Sequence, residues 1–439
     1  MKKINLLMIL FVALCPLSPA KAKVIDKILN HFEIANSYTV KIKTRVEYPF
    51  IKDNRGSHRG AGFLINKSLG WILTNAHVSS RNPKSLEIAF KDKKFIEAKL
   101  VYVDMHLDLA IIKIPPDKIP DTTIEAKLDC TKKPVVGSPV GAFGHPFGLS
   151  FSGTRGIISG EKYRWGRIWV QTDAPINKGN SGGPLISLNS GKVIGISSAT
   201  MSKSRTEGLN FAVPMSHACK LVDLLRKGID PTPSYIPVGF AYDDDNESEL
   251  IAAVIYQQQP ITWPLKVGDR LVSFAGTPKR VFKNQASLVH ELRGVRGKVE
   301  VIVERDGINK IVSIMSKPRE SLMKRIGVHF SGVVVAPESF RDDEEANPKG
   351  MALIQDVARA SIGSSAGVSA YNLLVSIDGK SLHDTTSICR YLKKAEKSEK
   401  KIKLITKEDA WSYRSHSKYH AYEIQVKDVQ LVGPEAPEG

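Results

Sequence analysis

Cysteine is nearly absent: four occur in 439 residues. Cys15 lies in the N-terminal apolar run, which leaves Cys130, Cys219 and Cys389. Three thiols cannot all pair with one another, so at least one is free. Their wide spacing argues against a metal site, and most are expected to be buried small hydrophobes. Long apolar runs are also missing. The longest, residues 6–14, is too short to span a bilayer, so no integral membrane segment is expected in the mature chain. Aromatic residues make up only 7% of the chain and do not interleave with the lysine-rich stretches (Lys91, Lys93, Lys94; Lys393, Lys394, Lys397, Lys400, Lys401). With no nucleic-acid motif either, nucleic acid is excluded as the expected partner.

What the chain does have is a basic surplus and an exported start. The net charge is +18, and about +15 without Lys2, Lys3 and Lys21. Such a charge speaks to solubility and peripheral attraction to an anionic envelope surface, not to fold. Residues 1–22 read as a secretory signal peptide: Lys2 and Lys3, the apolar run, breaks at Pro16 and Pro19, then Ala20-Lys21-Ala22 as a small-x-small cleavage site. Leu14 before Cys15, where a small residue is needed, argues against a lipoprotein. The expected compartment is a periplasm, with secretion beyond it left open.

The chemistry centres on residues 171–184, QTDAPINKGNSGGP. Ser181 stands between Asn180 and Gly182-Gly183, with Gly179 before it. Glycine permits the tight turn that exposes a nucleophile and aims backbone amides at a forming oxyanion. The oxyanion hole is therefore expected from Gly179, Asn180 and Ser181, with the N–H groups of Gly179 and Ser181 as donors. A plain Gly/Asn/Ser turn would look the same in isolation. Serine also needs a base, and the base needs an orienting group. The apolar run 71–74 ends at Asn75-Ala76-His77, placing His77 at a strand end. Asp108 stands just before the buried-type run 109–112, where a carboxylate needs a partner. The order His, Asp, Ser is one of three in which this triad occurs.

The strings TNAHV, DLAIIKI and GNSGGP, flanked by GAGFLINKSLGWIL, GHPFGLSFSGTRGIISG and GLNFAVP, resemble the HtrA (Deg) family of trypsin-like serine proteases over most of residues 36–220. The resemblance implies a mainly β chain with a trypsin-like double β-barrel, each barrel six-stranded, and the active site between them. It implies His77 as general base, Asp108 as its orienter and Ser181 as nucleophile. It places a regulatory loop at residues 160–167, with Lys162, Arg164 and Arg167 as candidate contacts. It implies that the strand at 193–199, with Ile196, Ser197 and Ser198, pairs with substrate, and that Asn210 and Phe211 close the specificity pocket. Pro175 occupies the position six before Ser181, so no acid selects Lys or Arg there, and cleavage after aliphatic residues is implied. Assembly as a homotrimer or a multiple of it is implied, with contacts near a short helix at 24–35. The segment between Arg45 and Gly60 is short where some members carry a long loop, which weighs against a large cage. His145 is expected to be a loop residue.

Past the protease domain (23–225), residues 226–236 hold two prolines and a glycine and read as a linker. Residues 237–318 are similar to a PDZ domain, with Gly268-Asp269, a helix at 285–292 and Val238, Gly239 and Phe240 as the carboxylate-binding loop. Residues 322–432 resemble a divergent second copy in which Tyr371-Asn372 replaces Gly-Asp. Both are expected to be α+β units. The resulting expectation is an exported, ATP-independent serine endopeptidase acting on misfolded or unfolded proteins, with PDZ domains binding peptide C-termini or extended segments. It requires no metal or other cofactor. The alternative is a chaperone or peptide-binding scaffold with minor proteolysis.

Overall fold

The computed structural model describes residues 19–439 apart from 52, 132–133, 146–150, 165–166, 199–208, 237, 242–249, 256–263, 317–318, 320, 338–351, 383, 409–417, 435 and 437–439. The apolar run at 6–14, part of the GHPFG stretch and Pro237 lie outside the described residues.

The chain is mainly β. Helix α1 (Pro19–Tyr38) leads into β1 (Thr39–Val46), β2 (Gly56–Asn66) and β3 (Trp71–Thr74). The one-turn helix α2 (Ala76–Ser79) precedes β4 (Ser85–Ala89), β5 (Ile96–Glu97), β6 (Lys99–Asp104) and β7 (Leu109–Lys113). These strands form a seven-stranded sheet ordered β5-β4-β1-β2-β3-β7-β6, not the six strands expected. The extra member, β5, is two residues long and carries no period that a sequence could show. Strand β1 alternates, turning Val40, Ile42 and Val46 inward and Lys43 and Arg45 outward. Strand β7 is buried over Leu109–Ile112 and reads as a continuous apolar run.

The second half closes as expected. Strands β8 (Pro139–Gly144), β9 (Ser152–Arg164), β10 (Arg167–Thr172), β11 (Pro184–Ser187), β12 (Val193–Ser198) and β13 (Asn210–Pro214) form a closed barrel ordered β10-β13-β12-β11-β8-β9. Helix α3 (Met215–Arg226) follows. Helix α1 is longer than the expected 24–35, and its Phe32 stacks edge-on against Phe143 of β8 at 4.8 Å. The segment expected to make subunit contacts thus packs on its own barrel.

A disulfide joins Cys130 to Cys219 of α3, 89 positions apart, a pairing that the sequence left open. Cys389 is free and buried, as a small hydrophobe should be. Replacing both bonded cysteines by alanine is expected to lower stability by about 2–4 kcal/mol through release of the long unfolded-state loop. The shift of the urea midpoint in the paired variant measures it, and an unchanged midpoint would refute it.

The next unit contains β14 (Val238–Phe240), β15 (Ala252–Ile255), β16 (Arg270–Phe274), α4 (Gln285–Glu291), β17 (Gly297–Arg305) and β18 (Ile308–Ser316). Asn284 caps α4 in a reciprocal capping box with Ser287. The last unit contains β19 (Gly327–Phe330), β20 (Val333–Pro337), β21 (Ala352–Val357), α5 (Ile362–Ser365), β22 (Leu373–Ile377), α6 (Thr385–Lys397), β23 (Lys401–Glu408), β24 (Lys418–Gln425) and β25 (Gln430–Val432).

The two units share a backbone signature. Gly268 N–H donates to Ala252 O (2.8 Å), and Ala252 N–H donates to Asp269 O (2.8 Å). Tyr371 N–H donates to Ile354 O (2.8 Å), and Ile354 N–H donates to Asn372 O (2.9 Å). Tyr371 holds φ at 71°, close to the 92° of Gly268. The bend survives without glycine because the strand before and the strand after hold it from both sides.

The residues between α3 and β14 are not a loose tether. Ser234 N–H donates to Leu292 O (3.2 Å), and Thr232 Oγ1 meets Tyr102 Oη at 3.3 Å. The short segment between β1 and β2 packs on the last unit: Ile51 N–H donates to Gln355 Oε1 (3.1 Å), and Ile51 joins Leu353 and Leu373 in one apolar cluster.

Candidate active site

Strand β3 delivers Asn75 in an extended conformation, and the chain then turns at once into α2. His77 therefore sits on a helical turn, one step past the strand end that the sequence suggests. Asn75 Nδ2 donates to Asp108 O at 2.8 Å, tying the two segments together. Asp108 adopts φ of 55°, uncommon for a residue with a side chain. That conformation swings its carboxylate back toward α2 before β7 begins.

Asp108 is 4% exposed, and both carboxylate oxygens are partnered. His77 Nδ1 lies 2.9 Å from both oxygens. His77 N–H donates to Oδ1 at 3.1 Å, and Ser198 Oγ donates to Oδ2 at 2.9 Å. A carboxylate on Nδ1 selects the tautomer that leaves the Nε2 lone pair free. Burial alone would depress the His77 pKa, but the charge and hydrogen bond of Asp108 outweigh it and hold the imidazole above its ordinary 6.5, against an opposing push from Arg167.

The Ser181 loop is fixed to both halves of the domain. Ala61 N–H of β2 donates to Ser181 O (2.8 Å). Gly182 N–H donates to Ser197 O (2.8 Å), and Ser197 N–H donates to Gly183 O (2.9 Å). Glycine is required at two positions. A Cβ on Gly182 (φ 85°) would lie 2.1 Å from Ala61 O and 2.2 Å from Thr74 Oγ1, and one on Gly183 would lie 1.9 Å from Phe143 O. Gly182 bonds Ser197, its neighbour Ser198 bonds Asp108, and Asp108 bonds His77. His77 and Asp108 are thus in direct contact, and the Ser181 loop is joined to them through Ser197 and Ser198.

The Asn180 N–H is spent on Asn177 O at 2.9 Å, which fits the expectation that the donors are the N–H groups of Gly179 (φ 105°) and Ser181. Strand β12 lies between β11 and β13: Ile196 is paired on both edges, Ser197 pairs with Ala212 and exchanges bonds with Gly182 and Gly183, and Ser198 pairs with Phe211 of β13 alone. The continuation at 199–208 lies outside the described residues. The Ser198 hydroxyl also orients Asp108, a role that no local signal could reveal. Residues 160–164 and Arg167 of the expected regulatory loop belong to a β9–β10 hairpin, in which Arg167 pairs with Arg164 and Trp169 with Lys162. Arg167 Nη1 donates to His106 O (2.8 Å), and its guanidinium stacks 4.3 Å from the Trp169 ring centre. Asn210 and Phe211 begin β13, with Phe211 buried against Trp169.

In the first PDZ-like unit, Val238, Gly239 and Phe240 form strand β14 instead of a loop, because β15 bonds them along one edge. His145, expected in a loop, is 6% exposed at the end of β8; its N–H donates to Gly179 O at 3.0 Å.

The trypsin-like peptidase domain model matches residues 60–196. A probable periplasmic serine endoprotease DegP-like from Pseudomonas fulva is 32% identical over 275 residues, 58% of this chain and 55% of the relative, so the chain spans little more than half of that protein's length. A protein of the same name from Halomonas elongata is 30% identical over 343 residues, 72% of this chain and 70% of the relative. The crystal structure of the serine endoprotease from Yersinia pestis superposes with a TM-score of 0.50 at 27% identity, over 66% of this chain and 97% of that one. On this breadth of similarity, the chain belongs to the HtrA (Deg) family of serine proteases.

Proposed function

We propose that this chain is an exported, ATP-independent serine endopeptidase that degrades unfolded or misfolded envelope proteins. The observation that carries the proposal is the continuous chain of contacts His77–Asp108–Ser198–Ser197–Gly182 leading to Ser181. Ser181 Oγ attacks the scissile carbonyl, and His77 Nε2 takes its proton and returns it to the leaving amine. Asp108 holds the ring and stabilises the imidazolium. The N–H groups of Gly179 and Ser181 receive the oxyanion. The periplasm is the proposed compartment, because relatives are named as periplasmic endoproteases. No helix among the described residues is long and apolar enough to cross a membrane.

We assign peptide capture to the first PDZ-like unit. Strand β14 pairs only with β15 among the described strands, which leaves an edge for strand addition. Val238 packs in one core with Leu288 and Leu292, so α4 flanks that edge. In the second unit, β19 is bonded on both sides, by β20 and by β25, and that unit serves as a docking surface for the protease domain. A trimer of chains is the proposed assembly.

The test is incubation of the purified mature chain with a reduced, unfolded protein without ATP or metal, together with active-site labelling by a phosphonofluoridate. Fragmentation and labelling at Ser181 are expected. Absence of both, even with an added C-terminal peptide, refutes the protease reading in favour of a peptide-binding scaffold.

The pH profile follows from His77. Because Asp108 holds its pKa above 6.5 and the neutral ring is the base, kcat/KM falls as pH drops through that raised value. Asp108→Asn removes the raising charge, leaving burial and Arg167 to act, so the residual activity should lose its acid limb toward lower pH. A limb that stays in place in Asp108→Asn would show that another group is titrating.

A further inference from the structure

Beside the Ser181 loop lies a cavity of about 230 Å³ lined by Lys41, Ile42, Lys43, Arg59, Gly60, Phe95 and His145. Two of these residues touch the loop's support. Gly60 precedes Ala61, whose N–H holds Ser181 O, and a Cβ on Gly60 would come within 3.0 Å of that oxygen. His145 N–H holds Gly179 O. Ser198 and Phe211, expected to contact substrate, are not among the residues that line it, so the cavity is a separate surface bordering the same loop.

The cavity is built for negative charge. Lys43 and Arg59 stand directly opposite one another across β1 and β2, a like-charge pairing that costs stability. Glu87 on β4 answers only one of them, reaching Lys43 at 3.1 Å. Arg59 has no ion-pair partner among the described residues, and Lys41 adds a third cation two residues along the strand. His145 supplies a neutral wall. Phe151 N–H donates to its Nδ1 (3.1 Å), and burial, helped by Lys41 and opposed by the Val40 carbonyl, pushes the ring down to about 4. A sheet that sets Lys43 and Arg59 face to face beside a candidate nucleophile, with Glu87 reaching only Lys43, has a reason to do so if an anion completes the row.

We propose that this cavity is the subsite for substrate residues on the C-terminal side of the cut, and that Arg59, Lys41 and Lys43 make it select acidic side chains there. The proposal deepens the protease reading and rests on it. Acidic selection explains how a basic enzyme would hold the leaving half of an extended chain without a deep apolar pocket.

The test uses internally quenched peptides that share one aliphatic cleavage position and carry Glu, Gln or Lys at the second and third residues after it. The readout is the ratio of kcat/KM for the Glu over the Lys peptide, measured within each variant, so that a general loss of folding or catalysis cancels. In the wild-type chain at low salt this ratio is expected to be about tenfold or more, collapsing toward one at high salt as exposed charges are screened. Arg59→Glu should bring it to one or below. Glu87→Gln, which frees Lys43, should raise it, an effect that misfolding cannot imitate. If the wild type cuts all three peptides equally, the subsite assignment is wrong and the protease reading stands. If it cuts none, the protease reading itself fails and the subsite falls with it.

Discussion

Ser181→Ala is expected to lower kcat on unfolded protein by about a million-fold, His77→Ala by about as much, and the double variant by no more than either alone. The reason is that the two residues act as one unit. A serine hydroxyl is a poor nucleophile at its own pKa, and His77 has nothing to deprotonate once the hydroxyl is gone. Asp108→Asn should cost less, on the order of ten thousand-fold, by losing the tautomer and the charge that stabilises the imidazolium. The geometry supports treating Asp108 as part of the unit: its two oxygens take His77 Nδ1, His77 N–H and Ser198 Oγ at 2.9–3.1 Å, and it is 4% exposed. The measurement is single-turnover acylation with a chromogenic ester, which separates chemistry from substrate capture. Additive losses in the Ser181/His77 double variant would show that the two residues do not share one proton transfer. Losses below about a hundred-fold in both single variants would move the chemistry elsewhere.

How much of this was legible in the sequence depends on distance along the chain. The Ser181 turn could be read locally, because Gly182 and Gly183 declare a tight approach that the structure shows against Ala61 O, Thr74 Oγ1 and Phe143 O. His77 and Asp108 could be read because each follows or precedes an apolar run that fixes its place. The fate of the Asn180 N–H could not, since it depends on a turn bond to Asn177 rather than on residue type. Neither could the double pairing of β12, because a buried strand looks the same whether its edges are free or taken. The proline- and glycine-bearing stretch after α3 resembles a linker by composition, yet Ser234 and Thr232 bind residues far away in sequence. Cys130 and Cys219 likewise meet only because α3 folds back on the barrel. Tyr371-Asn372 is the reverse case. The residue types argued against the PDZ-like bend, while the bonds to Ile354 restore it.

The second large effect lies at the junction of the protease domain with the first PDZ-like unit. Asp104 at the end of β6 and Arg293 just past α4 are both fully buried, with Arg293 Nη1 2.5 Å from Asp104 Oδ2. Arg293 Nη1 also donates to Pro231 O (3.1 Å), and Asp104 Oδ1 accepts from Leu107 N–H (2.9 Å). Around them burial, helped by the charges of Arg293 and Lys220, holds His217 and His290 neutral, at about 4 and about 2, with their Nδ1 atoms 3.1 Å apart. Arg293→Ala leaves the Asp104 carboxylate buried beside neutral rings, and a cost of about 3–5 kcal/mol is expected. Asp104→Ala strands the guanidinium at a similar cost. The paired change Asp104→Leu with Arg293→Met removes both charges and should come within about 1 kcal/mol of the wild type or exceed it, because desolvating two ions offsets most of their attraction. Urea unfolding followed by tryptophan fluorescence and by proteolysis between residues 226 and 250 checks this. Single variants should unfold at the junction first and split one transition into two. If both single variants cost less than about 1 kcal/mol, water reaches the pair and the junction is not held by it. If the singles are costly and the paired variant is equally costly, packing at Pro231 and Tyr102, rather than charge, holds the two units together.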